Sequence, residues 1–396
     1  MRLVSKGICG ATLALAAGGA AAQSSVTLYG VADVFGQYLM SGSGTKAGPG
    51  TPYVAGTHSF AERSGGNTGS MFGLKGNEDL GGGLHAIFDL ENGYNVNNGS
   101  FFADSTSMFY RQSWVGLKDD RYGSLTFGRQ YQPSFWAIYF TDPFRADEVL
   151  SPLAAADLAG ASNVATLADQ YIAGRTSNSI VYTSPDMRGV HVYAMYAMPT
   201  TVTLPVPSTS GDMLDLAANY SGYGFYAGLG YQYQHGGAQE TLATRLPSPL
   251  PATFNLPLVA MQHFTGALAY RIGIVNIQAN YTYNRPQNVP AGVITPVGPL
   301  ANLTHPYSIW EIGATIQASA ADTIEIAGFE REVRGVQDNT PGIQIGVDHN
   351  LSKRTTLYAR AGYMKNNGAA NMTWPSDTAA DGSKQILGLV GMTHRF

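Results

Sequence analysis

Residues Leu84 to Glu91 read LHAIFDLE. Leu84, Ala86, Phe88 and Leu90 share one face of an alternating segment, which puts Asp89 and Glu91 on the other. The stretch from Met71 repeats the pattern, with Phe72 and Leu74 on the apolar face and Lys75 on the wet one. By the same parity Tyr29, Asp33, Glu311, Asp348 and Arg360 point to water. Any one of them could equally be a rim charge with no specific task. A second set of charges lies in the stretch 133–175. Asp142, Asp147, Glu148, Asp157 and Asp169 stand there against Arg145 and Arg175, five acids to two bases.

Covalent chemistry is not what these residues suggest. The sequence holds no H-E-x-x-H, no G-x-S-x-G and no phosphate-binding P-loop. Its eight histidines share no metal-ligand spacing, so no catalytic residue, metal or cofactor is expected. GGGLHA at Gly81 matches a dinucleotide fingerprint but joins two strand-like segments, whereas that site needs a helix after the strand. The NGS at Asn98 is read as a chance match to a glycosylation site. What remains is electrostatic work by fixed charges facing water.

The elements that carry these charges are strands. Alternating segments of about ten residues recur, among them VTLYGVADVFGQYL from Val26, FYAGLGYQYQ from Phe225, VNIQANYTYN from Val275 and QILGLVGMTHRF from Gln385. Their connections alternate in kind. Seven are tight, at Asn77, Asp119, Asp186, Ser221, Arg271, Ser319 and Ser352. Eight are longer and rich in Gly, Pro, Asn and Ser, at about 41–66, 96–106, 133–175, 199–211, 236–260, 287–306, 335–341 and 367–383. Fifteen connections imply sixteen strands, and short turns at one rim with long loops at the other is the outer-membrane barrel pattern. A tilted strand crosses a membrane in about 9–11 residues. Lipid cannot satisfy an open sheet edge, so such a sheet closes. The expected fold is therefore an all-β, 16-stranded antiparallel transmembrane barrel with short periplasmic turns and long extracellular loops. Sixteen strands leave an aqueous channel.

Composition agrees. Charged residues are only 13% of the chain, about half the usual quarter, which argues against an ordinary soluble globule. No run approaches the roughly 18 apolar residues of a membrane helix. The start, MRLVSKG followed by a small apolar run and an A-x-A site, reads as a secretory signal peptide over 1–22, cleaved between Ala22 and Gln23. Cleavage removes Cys9, the only cysteine, and takes the net charge from −4 to −6 by removing Arg2 and Lys6. Nucleic acid, which needs a basic patch, is not an expected partner.

Several stretches carry a resemblance. SSVTLYGVADV, GLKGNEDLGGGLHAIFDLE, YRQSWVGLKDDRYGSLTFGRQ and NSIVYTSPD occur in order, and the last alternating strand ends in Phe396. Together they resemble the Gram-negative trimeric porins of the neisserial and burkholderial type. The resemblance implies a homotrimer in outer-membrane lipid and lipopolysaccharide, with 23–396 forming the barrel. It implies a passive channel for ions and small hydrophilic solutes, and Phe396 as the insertion signal. It also implies that the third long loop, 133–175, folds into the lumen and constricts it.

Porin selectivity comes from pore width and from rings of charge. The family's basic cluster maps to Arg111 in YRQSW, whereas Met71 and Val181 stand where relatives often carry Arg. That departure predicts a pore that is only weakly anion-selective, or cation-selective. Lys75, Arg111, Asp89 and Glu91 are expected on the pore wall, and Asp142, Arg145, Asp147 and Glu148 on the loop, with Asp147–Glu148 as its acidic side. Phe135, Trp136, Tyr139, Phe140 and Phe144 on the same loop read first as anchors to the wall and second as a surface for flat solutes. The second reading would make the protein a specific channel for small, aromatic organic acids. A barrel-embedded lipase or protease lacks a coherent Ser/His or Asp/His set, and a soluble β-sandwich or adhesin does not explain the terminal Phe.

In VNIQANYTYN, Val275, Ile277 and Ala279 are expected against hydrocarbon, with Tyr281 and Tyr283 in the headgroup belt. Asn276, Gln278, Asn280, Thr282 and Asn284 should line water, away from the charged ring.

Overall fold

The computed structural model describes residues 25–42, 56–102, 107–147, 149–151, 174–199, 210–237, 239–243, 253–257, 259–295, 298–302, 304–368, 370, 372–374 and 384–396. The expected signal segment with Ala22 and Gln23, and Glu148, Asp157 and Asp169 of the long loop, lie outside them.

Consecutive strands pair antiparallel all the way round. They are Ser25–Ser41, Thr57–Ser64 continued by Met71–Gly81, Leu84–Gly93, Gln112–Asp119, Gly123–Tyr131, Arg175–Thr183, Val190–Ala197, Met213–Gly222, Phe225–Gln234, Ala260–Ile272, Val275–Gln287, Tyr307–Gln317, Asp322–Val333, Asp338–Asn350, Thr355–Lys365 and Lys384–Arg395. The last pairs with the first, from Val31 opposite Arg395 to Ser41 opposite Gln385, and closes the sixteen-stranded barrel. Thr57–Ser64 and Met71–Gly81 both pair with the first strand, so they form one stave interrupted at 65–70. Asp33 is the reason the interruption holds. Its buried carboxylate accepts the amides of Gly66 at 2.8 Å, Asn67 at 3.2 Å and Thr68 at 3.3 Å, and the hydroxyl of Tyr358 at 2.6 Å.

Three connections differ from the sequence reading. Strand pairing extends into the first long loop, because Thr57–Ser64 adds to the outer half of Ser25–Ser41. The expected loop at 335–341 is a tight turn, since Asp338 already pairs with Val333. The loop from Pro133 opens with a helix, Pro133–Tyr139, whose proline occupies a first-turn position where its missing N–H is harmless.

The faces of Val275–Gln287 fall as the alternation requires. Ile277 and Tyr281 are exposed on the outside, while Gln278, Asn280, Thr282 and Asn284 are buried. Arg334 lies 4.7 Å above the Tyr283 ring near the loop rim. The correction concerns what the inner face touches. Gln278 donates to the Phe140 carbonyl at 3.1 Å, and Asn280 to the Thr141 carbonyl at 3.3 Å, so this uncharged stretch is the seat of the inserted loop and not open wall. Ile277 is the third residue after the turn, so Ile277→Arg should lower barrel stability by only about 0–1 kcal/mol near that interface, and not by the midplane cost, read from heat or urea titration of the folded band on gels. Gln278→Arg, with its side chain inside, should instead disturb the loop.

Candidate pore constriction

The inserted loop is built onto the inner wall in three steps. First, the helix Pro133–Tyr139 lies along the strand Phe225–Gln234. An added Cβ on Gly228 would collide with the Ala137 carbonyl, and one on Gly230 would stand 3.0 Å from Ser134 Cα. Two inward glycines thus give the helix its close approach, which a side chain would prevent. Asp215 accepts the Ser134 amide at 3.0 Å and its hydroxyl at 2.7 Å, satisfying the helix start from the wall. Tyr226 donates to the Ala137 carbonyl at 2.8 Å.

Second, residues 142–147 and 149–151 fold on their own carboxylates. Asp142 accepts the Phe144 and Ala146 amides, both at 2.7 Å, and the Ser151 hydroxyl at 2.5 Å. Asp147 accepts the amides of Val149 at 3.1 Å, Leu150 at 2.5 Å and Ser151 at 3.0 Å. Its other oxygen takes a buried ion pair with Arg360. Arg360 also reaches Asn67 at 2.9 Å, Asp348 at 3.4 Å and Glu325 at 3.7 Å. Third, Phe144, Val149 and Leu150 enter an apolar cluster with Phe35, Leu39 and Trp374 inside the barrel.

Several expected positions are thereby corrected. Asp142 and Asp147 do not present an acidic surface to the pore; both are buried, and their oxygens hold the loop's own turns. Arg360, Glu311 and Asp33, which parity aims at water, are covered as well. Glu311 accepts from Asn280 at 2.8 Å beneath the loop. Arg145 and Ala146 both adopt φ of 52°, an uncommon left-handed conformation for residues with a Cβ, and Arg145 is left exposed. Of the loop aromatics, Phe135 and Phe144 are buried anchors, whereas Phe140 is 53% exposed.

The opposite wall gathers the other expected residues into one network. Lys75 pairs with Asp89 at 3.6 Å, and Arg111 with Glu91 at 2.7 Å. Tyr29 donates toward Asp89 at 2.6 Å and Glu91 at 3.0 Å, joining the two pairs, and Gln112 donates to Asp89 at 3.3 Å. The pairs are asymmetric in exposure. The Lys75 side chain is 55% exposed and that of Asp89 only 5%. Val181 is buried with Met195, Ala197 and Met213, so that position is not open pore wall.

Sequence reasoning missed Asp215, Tyr226, Gly228 and Gly230 as loop supports. The one local signal was two glycines on the inward parity of FYAGLGYQYQ, where a packed partner needs room.

A model of Gram-negative porins matches residues 10–369. The chain belongs to the Gram-negative porin family. It is an outer-membrane protein that forms a water-filled channel for passive diffusion of ions and small hydrophilic solutes. Outer membrane porin protein 32 of Delftia acidovorans is 25% identical over 363 residues, 90% of this chain and 89% of that protein. A Bordetella pertussis outer membrane porin is 37% identical over 142 residues, 35% of this chain and 36% of that one. The solved anion-selective porin from Comamonas acidovorans is 22% identical and superposes with a TM-score of 0.72, over 94% of this chain and all of that one.

In this porin, burial pushes the Asp147 carboxyl up to about 6, against the pull of the Arg360 guanidinium and the loop amides. Burial raises Asp142 too, opposed by the Ser151 hydroxyl and the Ala146 and Phe144 amides. A carboxyl whose folded value exceeds its free value favours the docked form most at low pH. The Asp147 contribution is complete below about pH 4 and is lost as pH rises through about 6. Protease cleavage of the loop should therefore quicken as pH rises across this window. Asp147→Asn should flatten that dependence.

Proposed function

We propose that solutes pass between the inserted loop and the wall of Lys75, Asp89, Glu91 and Arg111, and that this gap favours small anions. The observation that carries the reading is which charges stay wet. Lys75 and Arg145 are exposed, whereas Asp89, Glu91, Asp142 and Asp147 are buried and bonded. A buried carboxylate that is already paired projects less field into the lumen than an exposed ammonium or guanidinium. Among the described residues no carboxylate pairs with Arg145. Solutes are sorted by this field and by width, and none is chemically transformed.

The zero-current potential across a planar bilayer under a KCl gradient should have the anion-selective sign. Arg145→Glu together with Lys75→Glu should move it to the cation-selective sign. A cation preference in the unaltered porin would overturn the reading.

We also infer a homotrimer. Its support is the outer face around the seam, where Gly36, Ala359, Ala361 and Gly388 lie together in a shallow apolar hollow edged by Phe60 and Val390. Lipid and lipopolysaccharide would cover the rest of the belt. Phe396 fits a sealing role there: its ring lies over Gly30, and the two residues exchange backbone hydrogen bonds of 3.0 and 3.1 Å.

A further inference from the structure

Six aromatic side chains form an unbroken series along the inserted loop. Tyr131 stacks on Phe135 at 4.8 Å between centroids, with planes 16° apart. Phe135 meets Trp136 at 5.4 Å, Trp136 meets Tyr139 at 5.5 Å, Tyr139 meets Phe140 at 5.3 Å, and Phe140 meets Tyr226 at 5.7 Å. The direction of the series follows from the strands that hold it. Tyr131 ends the strand Gly123–Tyr131 at the loop rim, and Tyr226 is the second residue of Phe225–Gln234, at the turn rim. Between them the helix descends that strand, with Ser134 opposite Gly230 and Ala137 opposite Gly228. Four residues of strand span about 13 Å, so the rings run along the direction of transport.

Anchoring accounts for only part of the series. Phe135 is 8% exposed and packs on the wall, but Phe140 is 53% exposed, and Trp136 and Tyr139 are half-buried. Apolar rings left in contiguous contact with a water-filled lumen mark a binding surface. A cation stands at its outer end. The Arg175 guanidinium lies 4.1 Å from the Tyr131 ring centroid and donates to its hydroxyl. Arg175 Nε is buried without a hydrogen-bond partner, and no carboxylate among the described residues pairs with Arg175.

We propose that this series is a subsite for aromatic carboxylates, which meet Arg175 with the carboxylate and pass along the rings of Trp136, Tyr139 and Phe140. The proposal rests on the anion-passing reading above and adds the solute class. An aromatic solute meets the exposed Phe140 and the half-buried Trp136 and Tyr139 by face or edge, and the guanidinium favours the anion over a neutral aromatic.

The test is current interruption in planar bilayers carrying the full-length porin in KCl, with benzoate, cyclohexanecarboxylate, benzyl alcohol or maltose added. Benzoate should interrupt the current saturably, half-blocking at about two- to tenfold lower concentration than cyclohexanecarboxylate. Benzyl alcohol should be weaker than benzoate. Phe140→Leu, at an exposed position, should raise the benzoate value about two- to tenfold and leave that for cyclohexanecarboxylate where it was. Trp136→Leu should do the same, with Trp136→Phe restoring part of the effect. Arg175→Gln should narrow the gap between benzoate and benzyl alcohol. Equal block by benzoate and cyclohexanecarboxylate, block that rises linearly without saturation, an unchanged benzoate value in Phe140→Leu, or stronger block by maltose would each overturn the proposal. A cation-selective potential with saturable benzoate block would overturn the anion reading alone. Absence of any KCl current would overturn both.

Discussion

Arg360→Ala should release the inserted loop and raise single-channel conductance, while the barrel itself still folds. Among the described residues Arg360 is the one cation placed among three carboxylates on separate elements, Asp147 of the loop, Glu325 and Asp348 of the wall. Its side chain is 2% exposed. Removing one partner of a buried ion pair leaves the other uncompensated, at about 3–5 kcal/mol. That loss falls on the contact between loop and wall. The strand's backbone pairing, with Arg360 opposite Gly346 and Leu389, does not depend on the side chain. The apolar contacts of Phe144, Val149 and Leu150 remain, so the loop should exchange between docked and free forms and the open-channel current should become noisy. Arg360→Lys keeps a charge but not the forked geometry, and should fall between the two. Conductance and protease sensitivity unchanged in Arg360→Ala would rule out this anchor.

Gly228→Val should shift conductance the other way. Any Cβ at this position meets the Ala137 carbonyl, a backbone atom that cannot swing aside as a side-chain tip could. The strand is held on both sides, by Asn219 and Ala267 opposite Gly228, so the helix must yield. It can move only toward the pore axis, which narrows the lumen. Overpacking of this kind costs about 1–3 kcal/mol. It also breaks the Asp215–Ser134 and Tyr226–Ala137 hydrogen bonds that fix the helix. The expected result is lower conductance with the same folded band on an unheated gel. Leu229→Val, on the outward face of the same strand, is the control and should leave conductance alone. Higher conductance in Gly228→Val would mean that the helix leaves the wall altogether, and equal conductance would refute the close approach.

The two variants separate what each end of the loop does. The helix end is fitted by shape, through glycines that leave room for a backbone. The Asp142–Ser151 end is fitted by charge and by apolar contact. The sequence reading had placed the acids of that end at the water, and the structure turns them inward. A loop without regular hydrogen bonding must satisfy its buried amides somehow, and Asp142 and Asp147 do it with their own oxygens.

Some of this was written in the chain itself. Alternation with period two is a local property, so the face of every strand residue could be read by parity. Ile277 out and Gln278 in, Lys75 and Asp89 on one inward face, and the closure of sixteen strands all follow from spacing. The resemblance gave Arg111 a place lining the pore; in the structure it is buried and pairs with Glu91. What parity cannot say is whether an inward residue meets water or protein. That depends on where a loop from residue 133 onward comes to rest against strands more than eighty residues further along the chain. Gln278, Glu311 and Arg360 carry no local mark of being covered. Their burial is decided by long-range contacts to Phe140, Asp142 and Asp147 of the loop. The sequence alone therefore determined the barrel and its two faces. Only the tertiary structure decided which inward charges stay wet, because that is settled by the loop packed over them.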